Sequence, residues 1–219
     1  FSGKRVGIIG TGSTGIQIIP HVAQQAKHLT VFQRTANYSL PARNGPLSNE
    51  DRSAHKAKYR HLREQAYFTP FGIAGYPPPT KGAVEVTPEE REEKYHQKWA
   101  EGGTISYLFS YNDLLLSEDS NKTASDFVRD RIREIVNDPE TAETLCPNDH
   151  PIGTKRICLD SGYYETYNRD NISLVNVRKA PVEEITPAGL RTTESDYELD
   201  VIIFATGRFT PNQLDVSIQ

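Results

Sequence analysis

The sequence predicts an α/β fold in which a βαβ unit opens a parallel sheet and a large helical insertion interrupts it. Three observations carry that reading. Residues 4–10, KRVGIIG, are apolar and β-branched and run into a glycine-rich turn, as a buried parallel strand does. Residues 14–27 then place Ile16, Ile19, Val22, Ala23 and Ala26 at helical spacing, although Pro20 inside that pattern should kink the helix or remove a hydrogen bond. Residues 28–34, HLTVFQR, form a second short apolar strand, so that strand, turn, helix and strand follow in a span usual for a βαβ unit.

The middle of the chain differs in character. From about residue 45 to 148 there are few β-branched runs and many charges. Residues 49–67 read as a polar helix, and residues 69–82 as a Gly/Pro loop with Pro77, Pro78 and Pro79 in a row. Thr87-Pro88-Glu89-Glu90 is a strong helix start, with Thr87 as N-cap, Pro88 at the first helical position and Glu90 closing a capping box. That helix should run to Glu101 and stop at Gly102-Gly103. Further helices are predicted over residues 104–116 and 122–136, and Asp138-Pro139 repeats the cap-plus-proline start. After the insertion the pattern returns to α/β. Residues 163–168 read as a short helix and 172–175 as a strand. Residues 182–185 and 190–193 read as a hairpin turning at Thr186-Pro187-Ala188-Gly189, and 197–205 as an apolar strand ending in Thr206-Gly207. The predicted organisation is therefore 1–46 and 148–219 as two parts of one domain, with 47–147 as the helical insertion.

Composition narrows the function classes. The chain has 219 residues, and 25 Lys and Arg against 29 Asp and Glu give a net charge of −4, which argues against a nucleic-acid partner. No apolar run reaches the ~18 residues a membrane span needs, and FSGKRVGIIG is no signal peptide. Cys146 and Cys158 form neither a disulfide framework nor a metal constellation, so no metal site is expected and a reducing cytoplasmic compartment is the default. Methionine is absent and residue 1 is Phe, three residues before a strand. We read this as a piece of a longer protein, the alternative being a processed N-terminus.

The chemistry is concentrated in Gly10-Thr11-Gly12-Ser13-Thr14-Gly15, a GxGxxG directly after a strand and opening a helix. Gly10 permits the tight turn, Gly12 lets a pyrophosphate approach the backbone, and Gly15 allows close helix–strand packing. The helix N-terminus offers unpaired N–H groups and a partial positive charge, and Thr11, Ser13 and Thr14 can add hydroxyl donors. The expected fold is thus Rossmann-like; the competing reading is a glycine turn kept for packing. An NAD site usually has an acid about 20 residues on, at the end of the second strand. Here Gln33-Arg34-Thr35 stands there, with Arg34 24 residues after Gly10. A guanidinium suits a 2′-phosphate, and Thr35 can donate to the same group, so NADP(H) is expected over NAD(H). The competing reading of Arg34 is a solvated strand-end charge. Gly153-Thr154-Lys155-Arg156 lies where the chain re-enters the α/β part, and from spacing alone its two cations read as surface charge.

Taken together, GKRVGIIGTGSTGIQ, HLTVFQRTANYSLPARN, HPIGTKRI and YELDVIIFATG resemble the Baeyer–Villiger monooxygenases of the cyclohexanone and phenylacetone type, in order and over nearly the whole chain. In that family NADPH reduces FAD, and oxygen from O₂ is inserted beside a ketone carbonyl to give an ester or lactone. The family has an FAD domain split around its NADP domain. The resemblance therefore implies the excised NADP domain, whose partners are a flavin-binding domain of the same parent protein, a ketone and O₂. The FAD site itself would lie outside this chain, which would be inactive alone. Thr11 through Gln17 match the family's pyrophosphate loop, with Gln17 its last position. Arg34 and Thr35 match its 2′-phosphate readers, Lys155 a second cation near that phosphate, and Arg156 the arginine that reaches the flavin as the catalytic cation. Thr206, at the end of the last strand, is counted with the cofactor-binding positions. The family commonly continues past this strand with an aromatic and an acid, whereas Arg208-Phe209-Thr210 follows here. The alternative is an NADP module of an N-hydroxylating flavin monooxygenase or of a reductase, against which the long helical insertion and GTKR argue. The resemblance does not identify the ketone.

Overall fold

The computed structural model describes residues 1–69, 72–75 and 77–207. Its centre is a four-stranded sheet of β1 (Arg5–Ile9), β2 (His28–Gln33), β5 (Ile172–Asn176) and β9 (Val201–Phe204) in the order β5-β2-β1-β9, with every pair parallel. Between β1 and β2 runs α1 (Ser13–Gln25), which continues through the buried Pro20. On one face of the sheet Val6, Ile8, Leu29 and Val31 pack with Ile16, Ile19 and Val22 of α1, all of them buried. On the other face Phe32 meets Leu190 and Leu199. A Cβ on Gly7 would stand 2.6 Å from Leu199 Cδ1, so the strand is kept thin where the second layer presses on it.

That second layer is an antiparallel sheet of β6 (Val182–Thr186), β7 (Gly189–Thr192) and β8 (Asp196–Glu198). The predicted hairpin is therefore present. The apolar strand predicted over 197–205 is instead two strands in different sheets. The break has a visible cause at Leu199 and Asp200. Leu199 N–H donates to Ala188 O at 2.9 Å, holding the chain to the hairpin. Asp200 takes Arg5 N–H at 2.7 Å and Arg5 Nη2 at 3.0 Å, turning the chain onto β1. The Arg5 hydrogen bonds hold the Asp200 carboxyl at about 2, below its ordinary 3.8. A carboxyl lowered in the folded state stabilises the fold above its ordinary value and loses that contribution as pH falls toward the folded one. Asp200→Asn should accordingly lower the thermal midpoint at neutral pH and flatten its decline between about pH 4 and 2. Melts of wild type and variant that run parallel across this range would remove Asp200 from the account.

A third, two-stranded parallel sheet pairs β3 (Ser39–Pro41) with β4 (Cys158–Asp160). Between these strands lie α2 (Asn49–Tyr67), α3 (Pro88–Glu101), α4 (Thr104–Leu108), α5 (Glu118–Ile135) and α6 (Pro139–Leu145), and after β4 comes α7 (Tyr163–Thr166). Tyr95, Trp99, Tyr107 and Phe127 form an aromatic group within the same continuous core as the main sheet. Tyr163, Tyr164 and Tyr167 are buried at α7, which packs on α1. By contrast α2 buries no residue.

Thr87 and Asp138 cap as predicted, while α3 and α4 each depart from prediction and α5 starts at Glu118 rather than 122, with Ser117 as its N-cap. Thr87 Oγ1 accepts Glu90 N–H at 3.2 Å and Asp138 Oδ2 accepts Thr141 N–H at 2.8 Å. Glu90 does not complete a capping box, because its carboxylate pairs with Lys81 Nζ at 3.2 Å. The helix predicted over 104–116 ends at Leu108. Beyond it Asn112 N–H donates to Lys81 O at 3.0 Å, and Asp113 accepts Ala83 N–H at 2.9 Å and the Ser120 hydroxyl at 2.6 Å. These tethers to neighbouring segments outweigh the local helical preference. Among the described residues no helix is long and apolar enough to cross a membrane. The divergent tail from Arg208 onward lies outside the described residues.

Candidate nucleotide-binding site

The site grows from the three glycines. Gly10 sits at φ 106°, a conformation that L side chains rarely adopt. A Cβ there would lie 2.6 Å from Ala205 O, and one on Gly15 would lie 2.2 Å from Gly10 O. The chain just past β1, the chain just past β9 and the start of α1 thus approach one another mainly through backbone. Gly12 is the opposite case, since a Cβ there would meet nothing within 4 Å. Gly12 is also the N-cap of α1, with no side chain capping it and no acid in the first turn. A helix start carries partial positive charge and unpaired N–H groups. Here it faces open space over a residue without a side chain, which is the cradle a diphosphate requires. Ser13, Thr14 and Gln17 are exposed around it, as is Thr206 past the end of β9.

Thr11 has a different role from the hydroxyl donor expected of it. It is buried, and its Oγ1 donates to Thr35 O at 3.0 Å. The bond ties the glycine turn to the chain leaving β2. Gln33 is also turned inward, donating from Nε2 to Thr144 O at 2.7 Å. Arg34 is exposed and Thr35 half-buried beside it, so the strand end presents a guanidinium and a hydroxyl where an acid would read a ribose.

The Lys155-Arg156 segment reaches the same place through β4. Cys158 N–H donates to Tyr38 O at 3.0 Å, and the Cys158 thiol lies 3.4 Å from Ser13 Oγ and 3.2 Å from Asn37 Nδ2. Burial pushes that thiol up, as a packed cysteine's should be. Exposed Arg156 lies two residues before this cysteine, which is anchored against the start of α1. Lys155 acts on Asp149, whose carboxyl is lowered to about 2 by hydrogen bonds from His150 and Arg178 and by the charge of Lys155.

Sequence reasoning misses the contacts that join Asp149, His150 and Arg178 to Thr35. Asp149 accepts Arg178 Nη2 at 2.6 Å and meets His150 Nδ1 at 2.6 Å. Arg178 Nη2 also donates to Thr35 Oγ1 at 3.0 Å. The parallel register of β2 and β5, with Gln33 opposite Asn176, explains the meeting: two residues past each strand end stand Thr35 and Arg178. Only that pairing reveals Arg178, because 143 residues separate it from Thr35.

No family model matches the chain. Individual proteins do. The 2-oxo-Δ3-4,5,5-trimethylcyclopentenylacetyl-CoA monooxygenase of Pseudomonas putida is 46% identical over 207 residues, covering 94% of this chain and 38% of that protein. A Baeyer–Villiger monooxygenase of Pseudooceanicola batsensis is 42% identical over 209 residues, with the same coverage of each chain. Among solved structures, that of OTEMO in complex with FAD and NADP superposes with a TM-score of 0.91 at 46% identity, over 94% of this chain and 38% of that one. The chain therefore spans about two-fifths of the length of the relatives it matches.

Proposed function

From the similarity of 94% of its length to a Baeyer–Villiger monooxygenase, we propose that this chain is the NADP(H)-binding domain of an FAD-dependent enzyme that inserts one oxygen of O₂ into ketones. Bound NADPH would supply the hydride that reduces the flavin. The N–H groups at the start of α1, with Ser13 and Thr14 beside them, hold the diphosphate. Gly12 leaves it room, Gln17 lies one turn further along the exposed face, and Thr206 flanks the loop from β9. Thr11 closes the floor by fastening the turn to Thr35. Arg34, Thr35 and Lys155 hold the 2′-phosphate. Arg156 would offer a permanent cation to the flavin, whose oxygen chemistry develops negative charge that such a cation stabilises. The flavin-binding domain, the ketone and O₂ are its partners in this reading.

The observation that supports the choice of NADP(H) is the strand end itself: exposed Arg34 beside half-buried Thr35, with no acid among the residues that close β2, and an open, acid-free helix start. Replacing Arg34 by alanine should remove most of the preference for NADP⁺. Losing a charged partner of a phosphate costs about 1.5–3 kcal/mol, roughly a tenfold to hundredfold rise in Kd. NAD⁺ affinity should barely move. Calorimetric titrations that give Arg34→Ala the wild-type ratio of the two affinities would overturn the assignment.

A further inference from the structure

We propose that Arg178 is a third cationic reader of the 2′-phosphate, held in a ready position by Asp149. The inference rests on the NADP(H) reading of the site. Its starting point is the single Arg178 Nη2 atom that reaches both Thr35 Oγ1, at 3.0 Å, and Asp149 Oδ2, at 2.6 Å. A phosphate oxygen accepting from the Thr35 hydroxyl is therefore within reach of the Arg178 fork. The position is built rather than incidental. Val177 N–H donates to Gln33 O at 2.9 Å, which extends the β2–β5 ladder past the last strand residues. Asn176 Oδ1 then accepts Arg178 N–H at 3.0 Å, and Asn176 O accepts the N–H groups of Lys179 and Ala180 at 3.0 Å each. This turn stops the strand and aims residue 178 back over Thr35.

Asp149 accounts for the ready position. Its carboxylate is held by His150 and Arg178 and sits in the field of Lys155, so it balances the cations gathered here without a nucleotide. A guanidinium has five N–H donors in a fixed fork. It can keep Asp149 on one edge and offer the rest to a phosphate, which a lysine cannot do with the same geometry. The Arg178 side chain is 55% exposed, leaving that edge accessible. Arg34, on the neighbouring strand, and Arg178 would then approach the phosphate from adjacent strand ends.

The test is a pair of titrations, NADP⁺ and NAD⁺, on wild type, Arg178→Ala, Arg178→Gln and Arg34→Ala, each shown by circular dichroism to melt as wild type does. Arg178→Ala should weaken NADP⁺ by about tenfold, the loss of one charged phosphate contact, and leave NAD⁺ unchanged. Arg178→Gln, which keeps a donor for Asp149 but no charge, should weaken NADP⁺ nearly as much. If Arg178→Ala leaves NADP⁺ affinity unchanged, or lowers both nucleotides equally, Arg178 only braces the loop and the inference fails. Should Arg34→Ala also leave NADP⁺ binding unchanged, it is the underlying reading of the site that fails. Loss in Arg34→Ala alone would keep that reading and reject this one.

Discussion

Arg156→Ala in the flavin-loaded parent enzyme is expected to abolish ester formation while part of the NADPH consumption survives, with hydrogen peroxide released in place of ester. In the proposed reading the two adjacent cations before β4 have separate tasks. Lys155 contributes to a cluster around Asp149 that leads to Thr35, on the nucleotide side. Arg156 is exposed two residues before Cys158, which is fastened to Ser13 at the mouth of the glycine loop. Lys155→Ala should therefore mainly raise the KM for NADPH, as loss of uniform binding does. Removing a charge that stabilises a developing oxyanion costs about a hundredfold to a thousandfold in rate. Arg156→Lys should rescue little, since a point charge does not reproduce the planar fork. The assay compares ester formed with NADPH consumed at saturating NADPH. Normal coupling in Arg156→Ala would make Arg156 a surface cation.

The second large effect separates two glycines of one motif. Gly15→Ala should destabilise the fold by about 1–3 kcal/mol, the usual cost of forcing a group into filled space. The atom its Cβ would meet is Gly10 O at 2.2 Å, a backbone carbonyl that cannot swing aside. Gly12→Ala should leave the thermal midpoint nearly unchanged, because its Cβ meets nothing within 4 Å. That methyl would instead occupy the diphosphate approach and weaken NADP⁺ by about tenfold or more. Thermal melts and titrations on both variants give the check. Equal stability losses at Gly12 and Gly15 would mean that Gly12 is a packing glycine and the cradle lies elsewhere.

Elements with strong local signals are legible in the sequence itself. The glycine motif between two β-branched runs announces β1, α1 and β2, and the Thr87-Pro88 and Asp138-Pro139 starts announce α3 and α6, because a cap and a proline act within four residues. Helix α2 is legible at both ends although it buries nothing. What escapes depends on distant partners. The three-residue strands β3 and β4 have no periodicity to read, and they form because Ser39 lies opposite Cys158 across the helices. The strand over 197–205 looks continuous in hydrophobicity, but its two halves answer to different sheets, divided where Asp200 binds Arg5. The helix predicted over 104–116 is too long because Asp113, unremarkable in sequence, is claimed by Ala83 and Ser120.

The same division runs through the site. The cofactor residues proposed from the motif are all local to strand ends and the glycine loop. Thr11 looks like a ligand by its place in the motif, yet its hydroxyl is committed to Thr35 O. Arg178 looks like one charge among many, yet strand register sets it on Thr35.

The central claim is that the strand-end cations select a nucleotide with a 2′-phosphate, and a calorimetric comparison of NADP⁺ and NAD⁺ on the unmutated protein tests it most directly. NADP⁺ should bind at least about tenfold more tightly, as one charged phosphate contact already provides, with the margin narrowing as salt rises because the exposed cations are screened. Equal affinity for the two nucleotides at low salt would contradict the account.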